Sequence, residues 1–139
     1  MQLNPYLNFN GNAEEAFRFY QSVFGGELFL KRMNEMPGME NLSEEEKNCV
    51  LHISLPLSNG QTLMASDITS SMEHQLKIGN NNYISIAPKN RDEAKRLFRE
   101  LSKGGKIEMP LEDMFWGDYF GSFKDRFGVS WMINYQNQS

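Results

Sequence analysis

The sequence is poor in the residues that mark exported and zinc-binding proteins, with one cysteine and two histidines among 139 residues. Cys49 cannot close a disulfide within the chain, which is typical of a protein of the reducing cytoplasm. No apolar stretch approaches the roughly 18 residues of a membrane-spanning helix, and no export signal is recognisable. We therefore predict a cytoplasmic protein with no membrane partner.

Basic clusters and phosphate-binding loops are also missing. The net charge is −4 and there is no run of Lys and Arg, so we expect no nucleic-acid partner. The Gly-Gly pairs at 25–26 and 104–105 follow apolar helical stripes instead of opening them, which favours helix termination over phosphate binding. A serine nucleophile elbow and a His–Cys metal cluster are absent too, so these motifs assign no reaction.

The chain does contain enough apolar material for one domain with a core. It is 40% hydrophobic and 12% aromatic, and its length lies near the commonest domain size. Cys49 begins an apolar run at 49–55, where we expect a small buried residue and not a catalytic thiol.

One segment occurs twice. Asn-Ala-Glu-Glu-Ala at 12–16 returns as Asn-Arg-Asp-Glu-Ala at 90–94, and each copy follows a strand-like run, at 3–9 and 83–87. Such self-similarity indicates one supersecondary unit used twice. Two halves of this size must share a core, and a ligand is expected in the concave surface between them.

Helix signals are strong in both copies. Asn12 is the predicted N-cap of the first helix, with Glu15 completing a capping box, and Asn90 is the predicted N-cap of the second. Apolar residues recur at spacings of three and four along both helices. The predicted inner faces are Ala13, Ala16, Phe17, Tyr20, Val23 and Phe24, then Ala94, Leu97, Phe98 and Leu101.

Strand-like runs complete each half. They lie at 27–33, 49–55 and 61–66, and then at 106–109, 119–123 and 129–135, with an Asn-Gly hairpin signal at 59–60 and a short helical turn at 43–46. The predicted fold is α+β, a single domain 1–139 of two βαβββ modules. Module one spans about 1–67, a polar connection about 68–82, and module two about 83–135.

These elements carry a family resemblance. The segments NPYLNFNGNAEEA at 4–16, LMASD at 63–67 and DRFGVSW at 125–131 resemble PhnB-like proteins. That group is a branch of the vicinal oxygen chelate superfamily, with glyoxalase I, bleomycin-resistance proteins and extradiol dioxygenases. The resemblance implies a glyoxalase-like fold of curled mixed sheets enclosing a cavity, and a homodimer.

The resemblance also locates the metal-ligand positions of the superfamily enzymes, which hold His, Glu or Gln on the first and fourth strand of each module. Counting along the chain places them at Pro5, Met64, Tyr83 and Met132. Proline has no donor atom, and a thioether is a poor ligand for the divalent ions concerned. We therefore expect no metal and no cofactor, which argues against glyoxalase or dioxygenase chemistry.

An aromatic cluster at 115–120, together with Trp131, is a candidate pocket wall, because aromatic and Met side chains suit a flat or apolar ligand. The alternative is that these residues fill the core or a dimer interface. The candidate pocket residues are Met64, Tyr83, Trp116, Tyr119, Trp131 and Met132, with Asp67 and His52 as polar members.

Three functions remain open at this point. The first is a metal-free homodimer that binds a small apolar or aromatic molecule. The second is a lyase, dioxygenase or transferase with a relocated metal site, which would need His52, His74 and a third ligand, Asp67 or Glu73. PhnB-like proteins have carried a demethylubiquinone-methyltransferase label, but nothing in the sequence resembles a methyl-donor site. The third is a protein-interaction module.

Overall fold

The computed structural model describes residues 1–38, 41–69, 72 and 75–137. The chain divides into two compact units, Met1–Lys77 and Ile78–Ser139. Each unit contains one four-stranded sheet. None of the helices within the described ranges is long and apolar enough to cross a membrane.

The first unit follows the order strand, helix, three strands. Its elements are β1 (Tyr6–Phe9), α1 (Ala13–Phe24), β2 (Phe29–Arg32), a short α2 (Glu44–Asn48), β3 (Val50–Pro56) and β4 (Thr62–Asp67). The spatial order is β1-β4-β3-β2, with β1 parallel to β4 and the other pairs antiparallel. The sheet is therefore mixed.

The second unit repeats this plan. It contains β5 (Ile84–Ile86), α3 (Arg91–Ser102), β6 (Lys106–Asp113), β7 (Asp118–Lys124) and β8 (Ser130–Gln136), in the spatial order β5-β8-β7-β6. Strand β5 is parallel to β8, and the other pairs are antiparallel. The predicted α+β fold with two βαβββ modules is confirmed, and neither sheet closes into a barrel.

The second sheet is curled. Tyr83 precedes the edge strand β5, whereas Glu108 lies in β6 at the opposite edge, yet the Tyr83 hydroxyl donates to Glu108 Oε1 at 2.8 Å. Three interstrand spacings of about 4.8 Å would separate these edges in a flat sheet. Curvature must therefore bring the two edges toward each other. Two register shifts in β6 are the kind of bulge that bends a strand.

Helix α1 packs on one face of the first sheet, as the apolar spacing predicts. Ala13, Ala16, Phe17, Tyr20 and Val23 are buried, and Phe24 is half-buried. The Phe17 ring meets that of Phe9 edge-on at 6.3 Å. The helix ends at Phe24. The N–H of the C-cap residue Gly25 still bonds the Gln21 carbonyl, and its φ of 78° turns the chain out of the helix.

The N-terminus of α1 differs from the prediction. The Asn12 side chain makes no capping hydrogen bond. The Asp67 carboxylate, at the end of β4, accepts instead: Oδ1 from the Ala13 N–H at 2.9 Å and Oδ2 from the Val50 N–H at 2.8 Å. The capping box predicted for Asn12 and Glu15 is thus replaced by a carboxylate that is distant in sequence.

Helix α3 agrees with its prediction. The Asn90 side chain accepts from the Glu93 N–H at 2.8 Å, so Asn90 is a true N-cap. The predicted inner face, Ala94, Leu97, Phe98 and Leu101, is buried. A Cβ built on Gly121 of β7 would lie 2.6 Å from the Phe98 ring, so the close packing of α3 on the sheet needs glycine there.

Cys49 is not fully buried, which corrects the expectation. It is half-buried at the end of α2, and its thiol contacts the Glu45 carbonyl at 3.5 Å. Burial and the charges of Asp67, Glu45 and Glu46 raise the pKa of the thiol. A protonated thiol is a poor nucleophile, so the expectation that Cys49 is not catalytic still agrees with its surroundings.

Candidate ligand-binding face

The first sheet has one face covered by α1 and one face that we call the open face. Alternation along β4 buries Leu63, Ala65 and Asp67 on the helix side and leaves Met64 and Ser66 on the other. Apart from the end pair Pro56 and Thr62, the side chains on this second side form the open face: Phe29, Lys31, His52, Ser54, Met64, Ser66, Tyr6 and Asn8.

Strand register arranges these side chains in two rows. In the first row, Phe29 pairs with Ser54, Ser54 with Met64, and Met64 with Tyr6. Phe29 and Tyr6 keep 53% and 47% of their surface exposed, so this row presents apolar and aromatic surface.

The second row is polar. Lys31 pairs with His52, and Asn8 pairs with Ser66. Extending the Ile53–Ala65 pair by one residue sets His52 beside Ser66. Neither row holds a carboxylate, and among these eight described side chains the fixed charge is that of Lys31.

Tyr6 links the two rows through its hydroxyl. Tyr6 Oη lies 3.2 Å from His52 Nδ1 and is also hydrogen-bonded to Ser66 Oγ. The Ser66 hydroxyl in turn contacts the Leu51 carbonyl at 2.9 Å. The rings of Tyr6 and His52 stack with centroids 5.8 Å apart.

The three hydrogen bonds of Tyr6, His52 and Ser66 can form together with one assignment of the protons. The single hydroxyl proton of Ser66 goes to the Leu51 carbonyl, so Ser66 accepts the proton of Tyr6. Tyr6 has then no further proton to give, and His52 must donate from Nδ1 to Tyr6 Oη. A neutral His52 held in this way has its lone pair on Nε2, which makes Nε2 a hydrogen-bond acceptor.

The superfamily metal positions are not occupied by suitable donors. Pro5 accepts a hydrogen bond from the Met64 N–H at 3.1 Å through its carbonyl, but the residue whose side chain shares the face of Met64 is Tyr6. In the second sheet, the residue that pairs with Met132 is Ser85. Phenol, hydroxyl and thioether groups do not fit a divalent metal site. Among the described residues, no three His, Cys, Asp or Glu side chains cluster in a metal-binding arrangement.

The structure describes two of the candidate ligands of the relocated metal site, His52 and Asp67. His74 and Glu73 lie outside the described residues. Asp67 is 1% exposed on the helix side of β4, with both carboxylate oxygens bonded to backbone N–H groups, whereas His52 lies on the open face. Asp67 therefore has a structural role. It lies on the opposite side of the sheet from His52, so the two side chains cannot bind the same metal ion.

The candidate pocket residues of the second sheet lie on two different sides. Trp131, at 2% exposure, and Tyr119 are buried on the α3 side, and the Trp131 indole donates to Asp125 Oδ2 at 2.8 Å. Met132 is adjacent to Trp131 in β8, so it points to the opposite side, where it pairs with Ser85 and Ser122. Trp131 and Tyr119 are core residues, and a pocket that contains Met132 does not include them.

Trp116 lies in the turn between β6 and β7 and is 53% exposed. Its indole donates to Asp118 Oδ2 at 3.2 Å, and its ring lies 6.5 Å from that of Phe120 and 5.0 Å from that of Phe115. Phe115 is almost fully exposed. The turn thus carries an aromatic tip, formed by Phe115 and Trp116, that projects from the second unit.

A charged cluster fixes the base of this tip. Arg91, the first residue of α3, binds both carboxylate oxygens of Asp113 at 2.7 and 3.1 Å and the Asn137 side chain at 2.8 Å. Its guanidinium lies 3.8 Å from the Tyr119 ring centre. The Asn137 amide also donates to the Gly117 carbonyl at 3.0 Å, so the cluster joins helix, turn and chain end.

Tyr83 is exposed beside Glu108, and their hydrogen bond raises the pKa of the phenol. Two of the pocket residues predicted from the sequence, His52 and Met64, lie on the open face. Tyr6, Ser66 and Lys31 also lie there but were not predicted. Strand alternation places Leu7 and Phe9 inward, and would have placed Tyr6 outward; the contact of Tyr6 with Ser66 depends on pairing across the sheet.

Comparison with known proteins assigns the family. Residues 1–134 match the family described as 3-demethylubiquinone-9 3-methyltransferase. The protein YjdN of Escherichia coli (strain K12) is 35% identical over 147 residues, which cover 99% of this chain and 97% of YjdN. The chain belongs to this family. Its predicted resemblance to PhnB-like proteins is confirmed.

Solved structures of similar sequence support the 3-demethylubiquinone-9 3-methyltransferase family assignment. PA1353 from Pseudomonas aeruginosa is 36% identical with a TM-score of 0.86, and 99% of each chain is covered. A putative 3-demethylubiquinone-9 3-methyltransferase, PhnB protein, from Bacillus cereus is 27% identical with a TM-score of 0.75, covering 97% of this chain and 99% of that one.

A more distant structure shows the fold alone. A glyoxylase/bleomycin resistance protein/dioxygenase domain from Frankia sp. EAN1pec is 10% identical with a TM-score of 0.65, covering 99% of this chain and 98% of that one. The chain therefore shares its fold with this domain, and a shared fold does not assign a chemistry.

Proposed function

We propose that this protein is a metal-free binder of a small, partly apolar molecule and that the open face of the first sheet is its binding surface. The observation that carries the proposal is the bipartite face itself. Phe29, Met64 and Tyr6 offer apolar contact, and His52 and Ser66 next to them offer hydrogen bonds in fixed directions. Binding sites for small molecules combine apolar walls with a few oriented polar groups in this way.

The donor set supports the metal-free part of the proposal. The predicted metal positions, Pro5, Met64, Tyr83 and Met132, offer no carboxylate or imidazole. The residues that pair with the two methionines, Tyr6 and Ser85, add only a phenol and a hydroxyl. Elemental analysis of protein purified after growth with added Zn²⁺, Ni²⁺, Fe²⁺ and Mn²⁺ should find no stoichiometric metal. A near one-to-one metal content that survives dialysis would contradict the proposal.

Binding can be measured with the methionine ε-methyl groups as reporters. Met64 reports on the open face, Met132 on the second sheet, and buried Met33 serves as an internal reference. Titration of ¹³C-methyl-labelled protein with 2-naphthol, a neutral planar probe, should shift the Met64 signal saturably and leave the Met33 signal unchanged. A probe that shifts only Met132, or no methyl group, would refute the assignment of the face.

A matched pair of variants tests the apolar row. Phe29→Ser removes an exposed ring from the open face and should weaken 2-naphthol binding by about 1–2 kcal/mol. Ile107→Ser removes a comparable exposed side chain from β6 of the second unit and should leave the affinity unchanged. Equal losses in the two variants would mean that the probe binds exposed apolar surface without selectivity.

We also propose that the protein is a cytoplasmic homodimer in which the aromatic tip meets a second copy of the chain. An almost fully exposed Phe115 beside a half-exposed Trp116 is costly in water, and the tip is held rigid by Asp118 and Asn137. Rigid aromatic groups are enriched in interfaces. Sedimentation should show a dimer at micromolar concentration that Phe115→Ser shifts toward monomer; a monomeric parent protein would contradict this.

A further inference from the structure

The open face has chemistry beyond apolar contact, and it lies in the second row. Lys31 and His52 are cross-strand partners, so their Cβ atoms lie about 5 Å apart on the same side of the sheet. Lys31 forms no ion pair with any residue in the described ranges. Since no carboxylate lies among the open-face side chains, the cation is available to a ligand.

The second group is His52 Nε2, whose role is set by the hydrogen-bond chain through Tyr6 and Ser66. These hydrogen bonds keep the proton of a neutral imidazole on Nδ1. Nε2 is then an acceptor, which is matched by a hydrogen-bond donor on the ligand. Lys31 requires the opposite, because an ammonium group only donates. One ligand that satisfies both residues carries an anionic group and, a few ångströms away, a hydroxyl.

On these grounds, and resting on the proposed function, we infer that the open face recognises a small hydroxylated organic acid. Its ionised group binds the Lys31 ammonium, its hydroxyl donates to His52 Nε2, and its apolar body lies over Met64 and Phe29. Asn8, beside Ser66, extends the polar row with an amide that both donates and accepts.

A panel of three matched fragments tests the two polar contacts. The probes are 3-hydroxybenzoate, benzoate, which lacks the hydroxyl, and 3-hydroxybenzamide, which lacks the charge. The Met64 ε-methyl shift reports binding of each. The parent protein should bind 3-hydroxybenzoate at least about fivefold more tightly than either of the others. Equal affinities for the three fragments would overturn the inference.

Two variants assign the contacts to residues. In Lys31→Gln, the preference for 3-hydroxybenzoate over 3-hydroxybenzamide should disappear, while the preference over benzoate remains. In His52→Phe, the reverse should hold. As in a double-mutant cycle, each variant removes the effect of only the ligand group that it contacts. A general loss of folding cannot produce this crossed pattern. A Lys31→Gln protein that keeps the charge preference would overturn the inference.

A control variant excludes unspecific attraction of anions. Lys103→Gln removes one exposed positive charge at the end of α3, in the second unit, and should keep the full charge preference. Failure of this inference is distinguishable from failure of the proposed function. If 2-naphthol shifts Met64 but the acid fragments show no preference, the face binds apolar molecules only and the inference alone falls.

Discussion

The buried carboxylate of Asp67 offers the sharpest test of how the first unit holds together. Its two oxygens bond the Ala13 N–H at the start of α1 and the Val50 N–H at the start of β3. Asp67→Ala leaves both N–H groups without their acceptor in a site that is 1% exposed. A hydrogen bond to a charged group contributes about 1.5–3 kcal/mol, so two lost bonds should lower the free energy of unfolding by about 3–6 kcal/mol.

The assay is urea denaturation followed by circular dichroism, with a thermal melt in parallel. For a chain of this length, each kcal/mol shifts the melting temperature by roughly 3–4 °C, so Asp67→Ala should melt more than about 9 °C below the parent. Asp67→Asn keeps one carbonyl oxygen as an acceptor and should fall between the two proteins. The m-value should stay constant, because the variant changes stability and not the surface exposed on unfolding.

Two N-cap asparagines serve as matched controls. Asn12 makes no capping bond, so Asn12→Ala should change stability by less than about 0.5 kcal/mol, whereas Asn90→Ala should cost about 1 kcal/mol. The reasoning is refuted if Asp67→Ala loses less than about 1 kcal/mol. It is also refuted if Asn12→Ala costs as much as Asn90→Ala, since the cap of α1 would then be local after all.

Three further outcomes are expected. Trp131→Ala should cost about 3–5 kcal/mol because the indole is buried, whereas Trp116→Ala should cost less than about 1 kcal/mol; similar melting temperatures for the two variants would contradict this. Gly121→Ala should cost about 1–3 kcal/mol, because a Cβ there meets a phenylalanine ring of α3 at 2.6 Å, and a wild-type urea midpoint would show that the packing relaxes. The hydrogen bond from Arg91 lowers the pKa of Asp113, so the stabilisation by this carboxylate is complete above the ordinary value of 3.8 and is lost as pH falls below it. Asp113→Asn should therefore flatten the acid limb of a plot of the urea midpoint against pH. An unchanged acid limb would refute the assignment.

Both long helices could be predicted from the sequence because their determinants are local. Spacings of three and four marked the buried faces of α1 and α3, and the glycine at 25 marked an end. The hairpin between β3 and β4 was equally local: Asn59 and Gly60 both have positive φ, as the Asn-Gly signal predicts. The predicted strand ends differ from the observed ones by up to four residues. The largest difference is in β6, which extends to Asp113; its bulges interrupt the apolar alternation, so the pattern did not predict this end.

The cap of α1 could not be predicted in the same way. Asn12 and Glu15 satisfy the local pattern of a capping box, but Asp67 occupies the N-terminus from a strand far along the chain. A charged acceptor that is already positioned by the sheet competes well with a side chain that must order itself. Local patterns therefore predicted that a helix begins there, but not which residue bonds its first N–H group.

The two modules share a plan but differ in the chemistry of equivalent positions. In each sheet the first strand is parallel to the fourth, which pairs Tyr6 with Met64 in one module and Ser85 with Met132 in the other. Tyr6 is long enough to contact both His52 and Ser66, whereas the Ser85 hydroxyl is one short group on a short edge strand. The polar chemistry of this protein should therefore be sought on the first sheet, and fragment binding that shifts Met132 in place of Met64 would reverse that assignment.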